Sequence, residues 1–166
     1  MRRRMCSSFV MALGVAALAS CGFHLRGDVP YQFQTLYINA GSAGPLAVEL
    51  RKTLAGSAGT RIVDKPENAQ AILDFTAYGD DKQVLSLSGG GRVREYTLTK
   101  FVAFRVHDME GRDWLPPAEI TIRRTYSFNE SEALAREAEE ARLLKEMQRD
   151  AVQQTVRRLQ AAKKPA

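Results

Sequence analysis

Cysteine and histidine are nearly absent from this chain of 166 residues, which contains two of each. Cys6 and Cys21 both lie near the N terminus, so the rest of the chain can form neither a disulfide nor a zinc cluster built on several thiolates. His24 and His107 have no serine or cysteine at a spacing that suggests a nucleophile and its base. The glycine run at 89–91 is followed by no predicted helix that could bind phosphates. We therefore predict no catalytic residue, no metal site, no cofactor and no enzyme activity.

A hydrophobic stretch long enough to span a membrane is also missing. The apolar run Phe9–Ser20 has 12 residues, whereas a transmembrane helix needs about 20. Three arginines precede this run and small residues end it, which is the three-part pattern of a secretory signal. Residues 1–20 are therefore predicted to be a signal peptide.

The cysteine directly after this run indicates a particular kind of signal. Leu18-Ala19-Ser20-Cys21 resembles the lipobox of bacterial lipoproteins, in which the leader is removed and the cysteine is acylated. Each buried methylene of an acyl chain contributes about 0.8 kcal/mol, so two or more chains anchor a protein stably. We predict that Cys21 is lipidated, that the protein is held to a membrane by this anchor, and that residues 21–35 form a tether.

The charge balance is mild once the leader is removed. The leader carries three of the 24 basic residues and none of the 19 acidic ones, so the net charge falls from +5 to +2. A nucleic-acid-binding protein usually has a strongly basic face. We therefore expect no nucleic-acid partner.

Alternating apolar and polar residues indicate several β-strands. These patterns occupy residues 36–39, 71–77, 85–87, 96–106 and 120–128. The sequence Gly79-Asp80-Asp81 is expected to interrupt the strand pattern, and Pro116-Pro117 to exclude a central strand. Residues 61–63 are either a short strand or a connection. Lys100 is the single polar residue on the apolar face of its strand.

Two amphipathic helices are predicted. The first begins near Pro45 and is closed by Gly56. The second begins at Asn129–Glu132, which resembles a capping box, and ends near Gln160. Its apolar stripe recurs at three- and four-residue steps and comprises Leu134, Ala138, Ala141, Leu144, Met147, Ala151, Thr155 and Leu159.

These elements predict an α+β fold in a single domain over residues 36–160. We expect a two-layer sandwich in which about four mostly antiparallel strands form a sheet and both helices pack on one face. Residues 161–166 are expected to be a disordered tail.

Arginines cluster near the predicted turns and strand ends. Arg92 and Arg94 follow the glycine run, Arg123 and Arg124 precede the last helix, and Arg136 lies in its first turns, where the helix dipole favours an anion. The planar guanidinium group can donate two hydrogen bonds to a phosphate. The alternative is a solvated basic surface, and the residues alone leave both open.

Several segments resemble the LptE (RlpB) family of lipopolysaccharide-assembly lipoproteins. They are Cys21-Gly22-Phe23-His24-Leu25-Arg26-Gly27, Gly44-Pro45-Leu46, Glu95-Tyr96, Arg123-Arg124-Thr125-Tyr126-Ser127-Phe128, the Ala-Leu-Ala of 133–135, Glu146-Met147 and Arg157-Arg158-Leu159. The resemblance follows chain order over nearly the whole sequence, and it implies a four-stranded sheet with two helices on one face.

The resemblance also implies a role. Family members are outer-membrane lipoproteins that plug the lumen of the LptD β-barrel, assist lipopolysaccharide assembly at the cell surface and are thought to bind lipopolysaccharide. Arg136 falls at the matching basic position, and Arg92 is the cation nearest the matching turn, so both are expected to contact lipopolysaccharide. Gly22 after the lipidated cysteine is consistent with delivery to the outer membrane. The alternative is a lipid-anchored periplasmic cell-wall binder or accessory enzyme of unknown substrate.

Overall fold

The computed structural model describes residues 31–56 and 59–165. Within them lie five strands: β1 (Thr35–Asn39), β2 (Arg61–Val63), β3 (Ala71–Leu87), β4 (Val93–His107) and β5 (Asp113–Ser127). The same residues contain two α-helices, α1 (Gly44–Ala55) and α2 (Ala133–Gln160), and short 3-10 turns at Pro66–Asn68 and Glu130–Glu132.

The strands form one sheet in the order β2-β1-β3-β4-β5. β1 pairs in parallel with both β2 and β3, whereas β3, β4 and β5 form a long antiparallel meander. The predicted α+β class is confirmed. The strand count is five instead of about four because residues 61–63 pair with β1 as a short edge strand.

Two hairpin turns of the same kind connect the meander. In the first, the Ser88 N–H donates to the Arg92 carbonyl at 2.7 Å and Gly91 adopts a φ of +76°. In the second, the Asp108 N–H donates to the Arg112 carbonyl at 3.0 Å and Gly111 adopts a φ of +81°. A three-residue hairpin loop needs a left-handed residue at this position, which glycine supplies without steric cost.

The predicted interruption at Gly79-Asp80-Asp81 does not break its strand, whereas the predicted exclusion of a central strand at Pro116-Pro117 is confirmed. β3 continues through Gly79, which pairs with Phe101 of β4. The Phe101 ring fills the space that a side chain at Gly79 would need, since a Cβ there would lie 2.7 Å from ring atoms. β5 tolerates Pro116 and Pro117 because it is an edge strand, and its register with β4 shifts beside them.

The helices pack on one face of the sheet, as predicted. Leu46, Leu50 and Leu54 of α1 are fully buried. The predicted stripe of α2 is buried from its middle onward, at Met147, Ala151, Thr155 and Leu159. It is wrong at the start of the helix, where Leu134 is 83% exposed and Ala138 and Ala141 are also exposed. Apolar burial of α2 begins at Leu143.

The predicted capping box does not cap α2. The helix begins at Ala133, and its N-cap residue Glu132 makes no side-chain capping bond. Asn129 instead organises the preceding 3-10 turn, because its side-chain oxygen accepts from the Ser131 N–H at 3.2 Å and its carbonyl from the Glu132 N–H at 3.0 Å.

The packed domain extends beyond residues 36–160 at both ends. Within the segment expected to be a tether, Tyr31 and Phe33 are buried, and the Phe33 ring meets Trp114 edge-on at 5.8 Å. Within the segment expected to be a disordered tail, Ala162 is buried and the Lys163 N–H donates to the Trp114 carbonyl at 3.0 Å. Apolar side chains at both ends of the described domain therefore complete the core around Trp114.

Candidate functional site

The β3–β4 turn presents two arginines beside a polar cleft of about 420 Å³. The cleft is lined by Ser88, Arg92, Val93, Arg94, Phe128, Asn129 and Ser131. The Phe128 N–H donates to the Arg94 carbonyl at 2.7 Å, which fixes the end of β5 against the start of β4. No described carboxylate lies within ion-pair distance of Arg92 or Arg94. Both guanidinium groups are exposed and available to an anion.

Arg136 lies at the same end of the molecule, in the first turn of α2, but it is already paired. Its guanidinium group donates to Glu132 and to Glu139, each at 2.7 Å. The hydrogen bond to Glu139 raises the pKa of Arg136, and the bond to Glu132 adds to it against the opposing effect of burial. A phosphate that binds Arg136 must therefore compete with two carboxylates. At Arg92 it has no competitor among the carboxylates that the structure describes.

Sequence reasoning missed a fourth cation at this end, Lys82 of β3. Its Nζ lies 2.5 Å from Glu140 Oε2 and 4.3 Å from the centre of the Tyr96 ring. The Tyr126 hydroxyl donates to the same Glu140 oxygen. We refer to Lys82, Tyr96, Tyr126 and Glu140 as the Lys82 cluster. No local motif marks it, because its members come from β3, β4, β5 and α2.

The ionisation of the Lys82 cluster is coupled. The hydrogen bond to Glu140 raises the pKa of Lys82, and burial opposes it only in part. Burial acts to raise the pKa of Glu140, but hydrogen bonds from Lys82 and Tyr126 outweigh it and hold this pKa below its usual 4.5. Burial and the bond to Glu140 raise the pKa of Tyr126. At neutral pH Lys82 is therefore an ammonium, Glu140 a carboxylate and Tyr126 a neutral phenol.

The cleft and the Lys82 cluster adjoin each other. The Phe128 ring lines the cleft and meets the Tyr96 ring edge-on at 5.3 Å, and Tyr96 stacks on Tyr126 at 5.7 Å. Glu140 lies four residues after Arg136 and therefore on the same side of α2. We call the cleft, Arg136 with its two carboxylates, and the Lys82 cluster the cationic end.

Arg124, one of the arginines that the sequence singled out, has a structural partner. Arg124 ties β5 to α2 through Asp150 at 2.6 Å. The acidic residues of the second hairpin pair with arginines. Arg112 pairs with both Asp108 and Glu110, and Arg105 pairs with Asp113. Among the described residues, no group of three or more histidine, cysteine, aspartate or glutamate side chains has the arrangement of a metal site.

Cys21 and His24 lie outside the described residues, so the lipidation site stays a prediction from the sequence. Neither α1 nor α2 combines the length and apolar character that a membrane-spanning helix requires, and the search covered the described residues alone.

Comparison with known proteins gives consistent matches. Residues 33–159 match the family model described as LptE, lipopolysaccharide-assembly. The chain is 34% identical over 164 residues to the LPS-assembly lipoprotein LptE of Pectobacterium atrosepticum, which covers 96% of this chain and 86% of the relative. It is 33% identical over 153 residues to the protein of the same name from Yersinia enterocolitica, covering 90% and 73%.

Solved structures agree with these matches. The uncharacterized lipoprotein B from Nitrosomonas europaea superposes with a TM-score of 0.75 at 35% identity, covering 84% of this chain and 91% of the other. The rare lipoprotein B from Shewanella oneidensis superposes with a TM-score of 0.63 at 29% identity, covering 75% and 92%.

Proposed function

Because this chain belongs to the LptE family of lipopolysaccharide-assembly proteins, we propose that it is an outer-membrane lipoprotein that plugs the LptD β-barrel and binds lipopolysaccharide through its cationic end. Family membership itself gives a coarser statement: the protein is a lipoprotein with a role in lipopolysaccharide assembly. The family is not enzymatic, which confirms the prediction that the protein is not an enzyme.

The position of the anchor relative to the cationic end supports the proposal. Cys21 precedes the first described residue, Tyr31, by ten positions, which at full extension span at most about 35 Å. Tyr31 and Phe33 pack near Trp114, at the end of the sheet where β4 finishes. β4 has 15 residues, so its start at the cationic end lies about 45 Å away. The cations therefore lie at the opposite end of the domain from Tyr31, the described residue nearest to the predicted anchor.

The helix-free face of the sheet suits a water-filled lumen. The residues that face away from the helices are mostly polar, comprising Thr97, Thr99, Arg105, Thr121, Arg123 and Thr125. Phe101, which is 41% exposed, is an apolar exception on this face. Because the interior of a large outer-membrane barrel is polar, a plug with this face needs no apolar band.

The observation that carries lipopolysaccharide binding is that the guanidinium groups of Arg92 and Arg94 form no ion pair with the described carboxylates. Lipid A phosphates are dianionic groups of the kind that arginine binds through two hydrogen bonds. We assign Arg92 as a direct contact. Arg136 is a second contact, which a phosphate reaches only by displacing Glu132 or Glu139.

Co-purification tests the barrel partner. The tagged full-length chain, extracted from outer-membrane fractions, is expected to bring down LptD in a fixed ratio, and mass spectrometry is expected to find acyl chains on Cys21. The Cys21→Ser variant should lose the acyl mass. Recovery of an acylated wild-type protein in the inner membrane, without a barrel protein, contradicts the proposal.

Two hairpin variants test lipopolysaccharide binding. The R92Q/R94Q variant is expected to bind purified lipopolysaccharide about tenfold more weakly, since each charge-assisted contact contributes up to about 1 kcal/mol when exposed. The matched control is R112Q, because Arg112 follows the left-handed glycine of the same kind of turn at the opposite end of β4. Equal binding by R92Q/R94Q and R112Q removes Arg92 from the proposal.

A further inference from the structure

The Glu140 carboxylate occupies a position with the features of an anion site. Its Oε2 atom accepts from Lys82 Nζ at 2.5 Å and from the Tyr126 hydroxyl. Two donors from different strands, one of them charged, thus converge on a single negatively charged oxygen. A phosphate oxygen placed there would meet the same two donors.

The Lys82 cluster is accessible from outside. The Lys82 side chain is 39% exposed, and its Nζ lies over the face of Tyr96. The Tyr96 ring also contacts Phe128, which lines the cleft beside Arg92 and Arg94. A phosphorylated ligand bound to these arginines therefore approaches Lys82 along a row of aromatic rings.

The segment that carries Glu140 is held mainly by polar contacts. Apolar burial of α2 begins only at Leu143, and Leu134 is almost fully exposed. Among the described residues before Leu143, Glu140 contacts the sheet by bonding to Lys82 and Tyr126. Because few buried apolar contacts oppose its displacement, this part of the helix can move at low cost.

We propose that Glu140 is an internal competitor for lipopolysaccharide, holding Lys82 and Tyr126 until a phosphate of the glycolipid displaces it. This inference rests on the proposed function, because it assumes that the cationic end meets lipopolysaccharide. A phosphate monoester carries a charge of about −1.5 to −2 and three acceptor oxygens, against a single charge on the carboxylate. Exchange of the carboxylate for a phosphate is therefore favourable once the phosphate is bound. The contacts of Glu140 set the free energy that the phosphate must supply to displace it.

Removing the competitor and removing its cation have opposite effects in this mechanism. With the full-length lipoprotein in detergent and purified rough-type lipopolysaccharide, E140Q is expected to bind about fivefold more tightly, because an exposed ion pair is worth up to about 1 kcal/mol. K82Q is expected to bind more weakly than wild type. In K82Q/E140Q the gain from E140Q should disappear, since no cation is left to release.

Two control variants separate this effect from net charge. E146Q removes a carboxylate of the same helix that pairs with Arg142, away from the cluster, and K145Q removes an exposed lysine of α2. Both are expected to bind as wild type. Thermal unfolding of each variant checks that the fold is intact. Lipopolysaccharide with its phosphates removed should bind weakly to every variant, and inorganic phosphate should compete for the gain seen in E140Q.

The outcomes distinguish this inference from the function on which it rests. The role of Glu140 is overturned if wild type binds lipopolysaccharide but E140Q binds no more tightly than wild type or than E146Q. That result leaves lipopolysaccharide binding itself in place. An E140Q gain that persists in K82Q/E140Q overturns the assignment of Lys82. Absence of wild-type binding overturns both the inference and the proposed binding function.

Discussion

Replacing Asp80 with alanine is expected to destabilise the domain more than removing the lysine to which Asp80 is paired. Lys100 points from β4 toward the helices, its side chain is only 2% exposed, and its Nζ lies 2.6 Å from Asp80 Oδ1. Among the described residues, another polar contact of this Nζ is the Tyr78 hydroxyl, at 3.4 Å. In D80A a buried ammonium therefore loses its counter-charge and keeps one weak hydrogen bond.

The magnitude follows from the asymmetry of burial. Breaking a buried pair by removing one partner costs about 3–5 kcal/mol. Asp80 is 40% exposed, so water partly replaces it and we expect a loss near the lower limit, about 3 kcal/mol. This is a large share of the roughly 5–15 kcal/mol by which a domain is stable. K100M, which replaces the stem and removes the charge, is expected to stay within about 1 kcal/mol of wild type.

Urea unfolding followed by circular dichroism measures both variants under one set of conditions. We expect the unfolding free energy of K100M to be close to that of wild type and the unfolding free energy of D80A to be clearly lower. The double variant D80A/K100M should recover most of the loss seen in D80A, because no charge is left unpaired. The reasoning is refuted if D80A costs less than 1 kcal/mol, or if K100M is as destabilising as D80A.

Three further outcomes are expected. M147A, at a fully buried position of α2, should lower the unfolding free energy by about 2–4 kcal/mol. L134A should stay within about 0.5 kcal/mol of wild type. Equal losses of the two variants in urea unfolding would contradict the burial pattern. G79A should cost about 1–2 kcal/mol because its Cβ meets the Phe101 ring at 2.7 Å, and F101A should remove that cost in a double-mutant cycle. The Glu140 pKa is lowered from 4.5 in the folded protein, so the stabilisation of wild type over E140Q should be constant above about pH 5 and decline as the pH falls below 4.5. A difference between these two proteins that grows on acidification would contradict the cluster's ionisation.

Much of the fold could be predicted because its signals are local. The alternation around Phe104 and Val106, the four-residue spacing of Leu46, Leu50 and Leu54, and the glycines of the two hairpins each act within a few residues. The start of α2 could not be predicted in this way. Leu134 fits the helical stripe, but the sheet offers that turn no apolar surface to pack against, so periodicity alone overestimates burial.

The candidate site could be predicted only in part. Arg92 follows a glycine turn, and this local signal is sufficient to find it. Lys82 could not be found, because its partner Glu140 is 58 residues away and the two meet only when β3, β4 and β5 pair in register and α2 crosses them. Likewise, the sequence offers Arg92 and Arg136 as equivalent cations, although one is free of the described carboxylates and the other is held between Glu132 and Glu139.

The sequence by itself determined the α+β class, the positions of both hairpin turns and the faces of the central strands and of α1, because each follows from side-chain periodicity and backbone preference within a short segment. The tertiary structure alone decided which cations remain available to an anion, why a side chain at Gly79 would meet the Phe101 ring, and how both ends of the described domain close the core around Trp114. Ion pairs and steric contacts act over a few ångströms, so they depend on which distant segments the fold brings together.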